Sequence, residues 1–167
     1  KLMDIYKDSV CFCEDVDNFD YIYNASDLIA LKGKKFHGKK NHYNQFVGSY
    51  NYEIKDISEP GVIKDCIDFA QFWYDNRLED DVQLEYELEG IKEVLPQYEV
   101  LGIKCMAVYV DGKIAGFTIG EKVNSNMAII HVEKGDFSYN GIYAFINKTF
   151  AERYLSDVKC INRQEDL

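Results

Sequence analysis

The stretch from Lys104 to Gly135 limits what this chain can fold into more than any other. "KCMAVYV" and "KIAGFTIGEKV" are rich in β-branched and aromatic residues and are separated by only Asp111 and Gly112. Asp-Gly supplies the positive φ angles of a type I′ turn, whose twist matches that of paired strands. "NSN" then turns the chain into "MAIIHVEKG", a third run of strand character. A three-stranded antiparallel meander is therefore written into the sequence, and the rest of the chain has to pack around it.

Helical periods lie on both sides of the meander. From Val62 to Arg77, Ile63, Cys66, Ile67, Ala70, Trp73 and Tyr74 recur at helical spacing. A second helix is predicted from about Asp80 to Leu95, with Val82, Leu84, Leu88, Ile91 and Leu95 inward and Pro96 ending it. "NGIYAFINKTFAERYL" reads as an amphipathic helix burying Ile142, Phe145, Ile146, Phe150 and Tyr154, with Asn140 or Ser138 as its cap. "DSVCFCEDV", "DYIYN", "YNYEIKDIS" and "VKCINR" read as further strands, and "ASDLIAL" as a loop. From Tyr50 onward the order is strand, helix, helix, three antiparallel strands, helix, strand.

Charge is unevenly spread. The chain carries −10 overall, yet between Leu28 and Tyr52 there are five lysines and no Asp or Glu. In that window Phe36, Tyr43 and Val47 form one predicted helical stripe, and Lys32, Lys35, Lys39 and His42 a second beside it. An acidic protein with one basic island does not wrap duplex DNA, but it leaves room for a local anion site. The five cysteines form no CxxC, and with no secretory segment evident they point to reduced thiols in a cytoplasmic protein. Cys11 and Cys13 have no third metal ligand nearby, so no metal site is expected. No apolar run approaches the ~18 residues that span a bilayer.

The predicted order matches the core of the GNAT-type N-acyltransferase fold. "GKKFHGKKNHYNQF", "DGKIAGFTIGE", "IIHVEKGD", "GIYAFINKTFAE" and "INRQEDL" together resemble a bacterial branch of the phosphatidylglycerol lysyltransferase C-terminal domain family. The resemblance implies an α/β (α+β) fold, a mixed and mostly antiparallel sheet flanked by helices, with an acyl donor lying where two central strands splay apart. It implies two GNAT-like halves in tandem. Residues 1–31 would be the closing strands of a truncated first half, 32–49 a basic connecting helix, and 50–167 a second half lacking its last strands. Segments absent from this sequence would then complete it. The activity implied is transfer of an acyl or aminoacyl group from a carrier, aminoacyl-tRNA or acyl-CoA, to an amine or hydroxyl. GNAT enzymes that use acetyl-CoA hold pyrophosphate in a Gln/Arg-x-x-Gly-x-Gly/Ala loop opening a helix. Here the loop is "EKGDFSYNGIY", which lacks that spacing and places Asp136 where an anion would sit.

Within that frame the candidate residues form four groups. Lys35, Lys39, Lys40 and His42 are placed either to meet a phosphate, a tRNA acceptor end or a lipid headgroup, or to form a solvated face that balances acidic neighbours in the same chain, with Asn41 and Asn44 alternatively in a buried polar junction. On a regular strand His131 and Glu133 share one face, Glu133 as general base and His131 as its relay, while Val132 and Lys134 take the other. Lys134 is counted among the substrate-binding residues. Tyr143 and Asn147, four apart, share a helix face, Tyr143 as proton donor to a leaving group and Asn147 on the substrate. Asn162, Arg163 and Glu165 end the last strand, with Arg163 able to fork onto a carboxylate or phosphate or to pair with Glu87. A backbone amide between Val132 and Gly135 would polarise the carbonyl. The splayed gap is expected between "FTIGEKV" and "INRQED". Against all of this stands a non-catalytic binding module on the same fold, in which Glu133 serves only a structural ion pair.

Overall fold

A computed structural model describes residues 5, 11, 13–15, 19–76 and 82–164. The strand expected over 8–16 falls mostly outside these residues, as do Glu165 and the side chains of Val82 and Leu84. Among the described residues six strands form one sheet: β1 (Ile22–Asn24), β2 (Tyr52–Asp56), β3 (Lys104–Val110), β4 (Lys113–Asn124), β5 (Met127–Gly135) and β6 (Cys160–Asn162), in the order β1-β6-β5-β4-β3-β2. All neighbours are antiparallel except β5 and β6. The Asp111-Gly112 turn forms as the sequence predicts, with φ of 50° and 78°.

The helices that cover the sheet among the described residues are α1 (Ala25–Ala30), α2 (His37–Ser49), α3 (Val62–Asp75), α4 (Val82–Val94), the one-turn α5 (Tyr98–Leu101) and α6 (Ile142–Tyr154). This is the GNAT-like α/β arrangement the order of elements implied. α6 makes the crossover between the parallel pair β5 and β6, which antiparallel neighbours do not need. "ASDLIA" is a helix, not a loop, because Ala25 and Leu28 bury one face against α6's side of the sheet. The basic island opens with a 3₁₀ turn, Lys34–Phe36, after Gly33 at φ 90°, and only then becomes α2. Its buried member is Phe46, whereas Val47 is exposed and Tyr43 half-buried.

Two cores result. α1, α2 and α6 pack on one face around Phe46, Phe145, Ile146 and Phe150. α3 and α4 pack on the other around Phe69, Ile91, Leu95 and Phe117. α6 lies close to β4 because Gly116 and Gly120 face it. A Cβ there would stand 2.8 Å from Ile146 Cδ1 and 2.9 Å from Phe150 Cε1. β1 and α1 share the α6 core, so in packing terms residues 22–31 are continuous with the rest of the fold. All five cysteines are free thiols. Hydrogen bonding to Cys66, reinforced by burial, pushes the Cys105 thiol up in pKa and keeps it unreactive.

Candidate functional site: the opening between β5 and β6

Parallel pairing of β5 with β6 covers only Met127–Ile129 against Cys160–Asn162. Beyond it β5 runs on to Gly135 with β4 as its ladder partner. The opening therefore lies between β5 and β6, not between "FTIGEKV" and "INRQED", because β5 separates those two segments.

A β-bulge sits at the same place. Ile119 pairs with Val132 and Gly120 with Ile130, leaving His131 as the extra residue. The bulge resets the alternation. Ala128 and Ile130 face α6, while Val132 lies in the α3–α4 core. His131 is thereby displaced from the place that simple alternation gave it beside Glu133. Its Nε2 lies 3.0 Å from Glu121 Oε1 and its Nδ1 3.2 Å from Gln164 Nε2.

Glu133 enters the opening on the α6 side. Asn147 Nδ2 donates to Oε2 at 3.2 Å, and Arg163 Nη2 donates to Oε1 at 3.3 Å. The pair is nearly dry, with 15% of the Arg163 side chain and 10% of that of Glu133 exposed. Arg163 does not take Glu87, which is committed to Lys134 (2.9 Å) and to the Tyr74 hydroxyl. Tyr143 hydrogen-bonds the Gly135 carbonyl at 3.1 Å, one turn from Asn147. Asn162 is turned away, its Nδ2 on Asp20 at 2.6 Å and its Oδ1 accepting the Gln164 amide. Thr118, the register partner of Glu133, also faces α6 and is fully buried. Its hydroxyl has no hydrogen-bond partner among the described residues. Sequence reasoning passed over it, although a Thr spaced between two glycines on an apolar strand was its signal.

Lys134 points to the other face of the sheet. Its ammonium stands 4.3 Å from the Trp73 ring centroid, 5.3 Å from that of Tyr74 and against Glu87. Two aromatic faces and a carboxylate make an ammonium cage, filled by the chain's own lysine. That is an anchor between β5, α3 and α4.

The basic residues are mostly on the surface. Lys35 is 70% exposed and pairs with Asp27 of α1 at 3.0 Å, and that pairing holds the Asp27 carboxyl below its usual pKa. Lys40, His42, Asn41 and Asn44 are exposed, so neither asparagine is buried as expected. Lys39 is half-buried, its ammonium 5.3 Å from the centroid of Tyr23 on β1. Neither Asn140 nor Ser138 caps α6. Its N-cap is Gly141 at φ 87°, and a Cβ there would stand 2.1 Å from the His42 carbonyl oxygen. α2 thus packs across the start of α6.

The family model described as phosphatidylglycerol lysyltransferase, C-terminal, matches residues 1–165. A conserved protein of unknown function from Bacteroides thetaiotaomicron superposes with a TM-score of 0.89 at 38% identity, over 99% of this chain and 56% of that one. An uncharacterised protein of Mycoplasmoides gallisepticum is 26% identical over 89% of this chain and 48% of its own length. The structure of L-PGS from Bacillus licheniformis shares the fold at a TM-score of 0.57 and 14% identity, over 86% of this chain and 45% of that one. The chain spans about half the length of the relatives it matches.

Proposed function

The chain belongs to the phosphatidylglycerol lysyltransferase C-terminal family, and from that premise we propose that it transfers an acyl or aminoacyl group from a carrier to an amine or hydroxyl. The observation that carries this reading is the Glu133 carboxylate, held by Asn147 and Arg163 where β5 and β6 part. Glu133 takes the proton from the attacking amine or hydroxyl, and Tyr143 returns one to the leaving group, the ribose oxygen of a tRNA ester or the sulfur of a thioester. A β5 amide between Val132 and Gly135 polarises the carbonyl under attack. Arg163 and Lys39 meet the carrier's negative charge, with Lys35, Lys40 and His42 as an outer attraction for it. His131, on Glu121 and Gln164, fixes the bulge, and Asn162 fixes the turn after β6. The loop "EKGDFSYNGIY", which lacks the glycine spacing of a pyrophosphate loop, supports aminoacyl-tRNA over acyl-CoA as donor. On the same reading residues 1–31 are lent by a first GNAT-like half, 32–49 connect, and 50–167 form the second. On this reading the chain also works in the cytoplasm. Among the described residues no helix is long and apolar enough to cross a membrane.

The test is a transfer assay with charged tRNA and with acyl-CoA as alternative donors, comparing wild type with Glu133→Gln. Loss of general-base catalysis lowers turnover about 10²–10⁴-fold while donor binding persists. Unchanged turnover in the variant removes Glu133 from the chemistry. No transfer and no saturable donor binding by the wild type would support the second reading, a binding module on the same fold.

A further inference from the structure

Past Ile129 and Asn162 the two strands are no longer joined by backbone ladder bonds. Two side-chain rungs bridge them instead, Gln164 to His131 and Arg163 to Glu133. The second rung carries charge. At 3.3 Å it is longer than the roughly 2.7–2.9 Å of a well-formed N⁺–H···O⁻ contact. Beneath it lies the Thr118 hydroxyl, buried and without a partner among the described residues. Gly116 and Gly120 face α6, and Thr118 between them points the same way, toward the register-paired Glu133. Directly opposed side chains of this kind have Cβ atoms about 4.5–5.5 Å apart, within reach of one hydrogen bond.

We propose that the Glu133–Arg163 pair is a phosphate-operated latch: a phosphate group entering between β5 and β6 takes the Arg163 guanidinium, and the released Glu133 carboxylate turns to the Thr118 hydroxyl. Each state has named contacts, which a two-state element requires. In the closed state Arg163 and Asn147 hold Glu133, and Thr118 is unsatisfied. In the open state phosphate forks onto Arg163, a pairing guanidinium suits, and the Thr118 hydrogen bond replaces the one lost. The consequence is ordering: the base is freed only when the carrier's phosphate has arrived. This rests on the transferase reading of the same opening.

Among the described residues Arg163 after β6 and Asn147 on α6 contact the Glu133 carboxylate, Thr118 on β4 is its register partner, and Tyr143 stands one turn from Asn147 on α6. The β5 neighbours of Glu133, His131 and Lys134, are directed to Glu121 and Glu87. Arg163 is a cation paired with Glu133, and losing an adjacent guanidinium raises a carboxyl's pKa by about 1–3 units.

The test follows the ¹³C signal of the Glu133 carboxyl, assigned with Glu133→Gln, through pH titrations. They are run without ligand, with inorganic phosphate, and with a dinucleotide whose only anion is a phosphodiester. Saturating ligand should raise the wild-type midpoint by about 1 pH unit or more. Response to the dinucleotide at lower concentration assigns the latch to a carrier's backbone, and response to inorganic phosphate alone assigns it to the free ion. Arg163→Gln should start high and ignore both ligands. Thr118→Val should match wild type without ligand and rise further with it. No movement in the wild type, a response that persists in Arg163→Gln, or a Thr118→Val rise no larger than wild type overturns the latch. The wild-type titration is read on the unsubstituted protein, and Glu133→Asp serves for the signal assignment where Glu133→Gln does not fold. The titration measures no transfer, so its outcome is separable from that of the turnover assay.

Discussion

Gly141 concentrates more constraint than any other single position. Its φ of 87° is left-handed, and a side chain would have to occupy the place of the His42 carbonyl oxygen. Backbone cannot yield as the end of a flexible side chain can, so α2 would have to lift from α6. Gly141→Ala should cost about 2–4 kcal/mol, read as a lower urea midpoint at unchanged slope. Gly48, on α2, has open space where its Cβ would be. Gly48→Ala should be neutral or stabilise by up to about 1 kcal/mol. Equal costs at the two glycines would refute the account of how α2 meets α6.

At the scale of elements, β5 is the strand on which the site depends. Consecutive residues fix it to opposite layers, Glu133 to α6 and the segment after β6, Lys134 to α3 and α4. Removing one partner of a largely buried ion pair strands the other. Lys134→Met should therefore destabilise by about 2 kcal/mol, less than a fully dry pair because Glu87 retains some solvent. Adding Glu87→Gln to Lys134→Met should recover part of that loss in a double-mutant cycle. Strict additivity would show that the cage does not act as a unit.

Across the whole molecule, two phenols tie helices to strands at distant points. Tyr154 of α6 donates to Asp56 of β2 at 2.7 Å, and Tyr109 of β3 donates to Asp65 of α3 at 2.7 Å. Burial first, then the hydrogen-bonded carboxylate, raises both phenols above their ordinary pKa of 10.0. A raised acid contributes stability that is whole below its unfolded pKa and is lost as pH rises beyond it. Unfolding free energy should therefore decline above pH 10, and Tyr109→Phe with Tyr154→Phe should flatten that decline. Asp56 acts at the other end of the scale. Burial opposes its ionisation, but bonds from Ser58 and Tyr154 and the nearby Lys104 more than offset it, so its carboxyl lies below 3.8. Its contribution is present above that value and fades as pH falls through the lower folded one. An alkaline limb unaffected by the two substitutions would remove the phenols from the account.

The meander, its type I′ turn and the helices over Val62, Leu88 and Phe145 were legible in the sequence, because spacing and turn chemistry are local properties of neighbouring residues. Glu133, Tyr143, Asn147 and Arg163 could likewise be picked out by type and strand or helix phase. What the sequence did not carry was who meets whom. One extra residue at His131 undid the period-two alternation, and a bulge depends on the register with β4 rather than on the strand itself. The crossover through α6 moved the opening from β4 to β5, put Arg163 against Glu133 rather than Glu87, and sent Lys134 into a cage formed by α3 and α4. The lysine island shows the same division: its charge and helical phase are in the sequence, while Asp27 beside Lys35 and the His42 carbonyl on Gly141 exist only once α1, α2 and α6 have packed. Local pattern chose the elements, and long-range packing, which no short window of sequence contains, chose the partners.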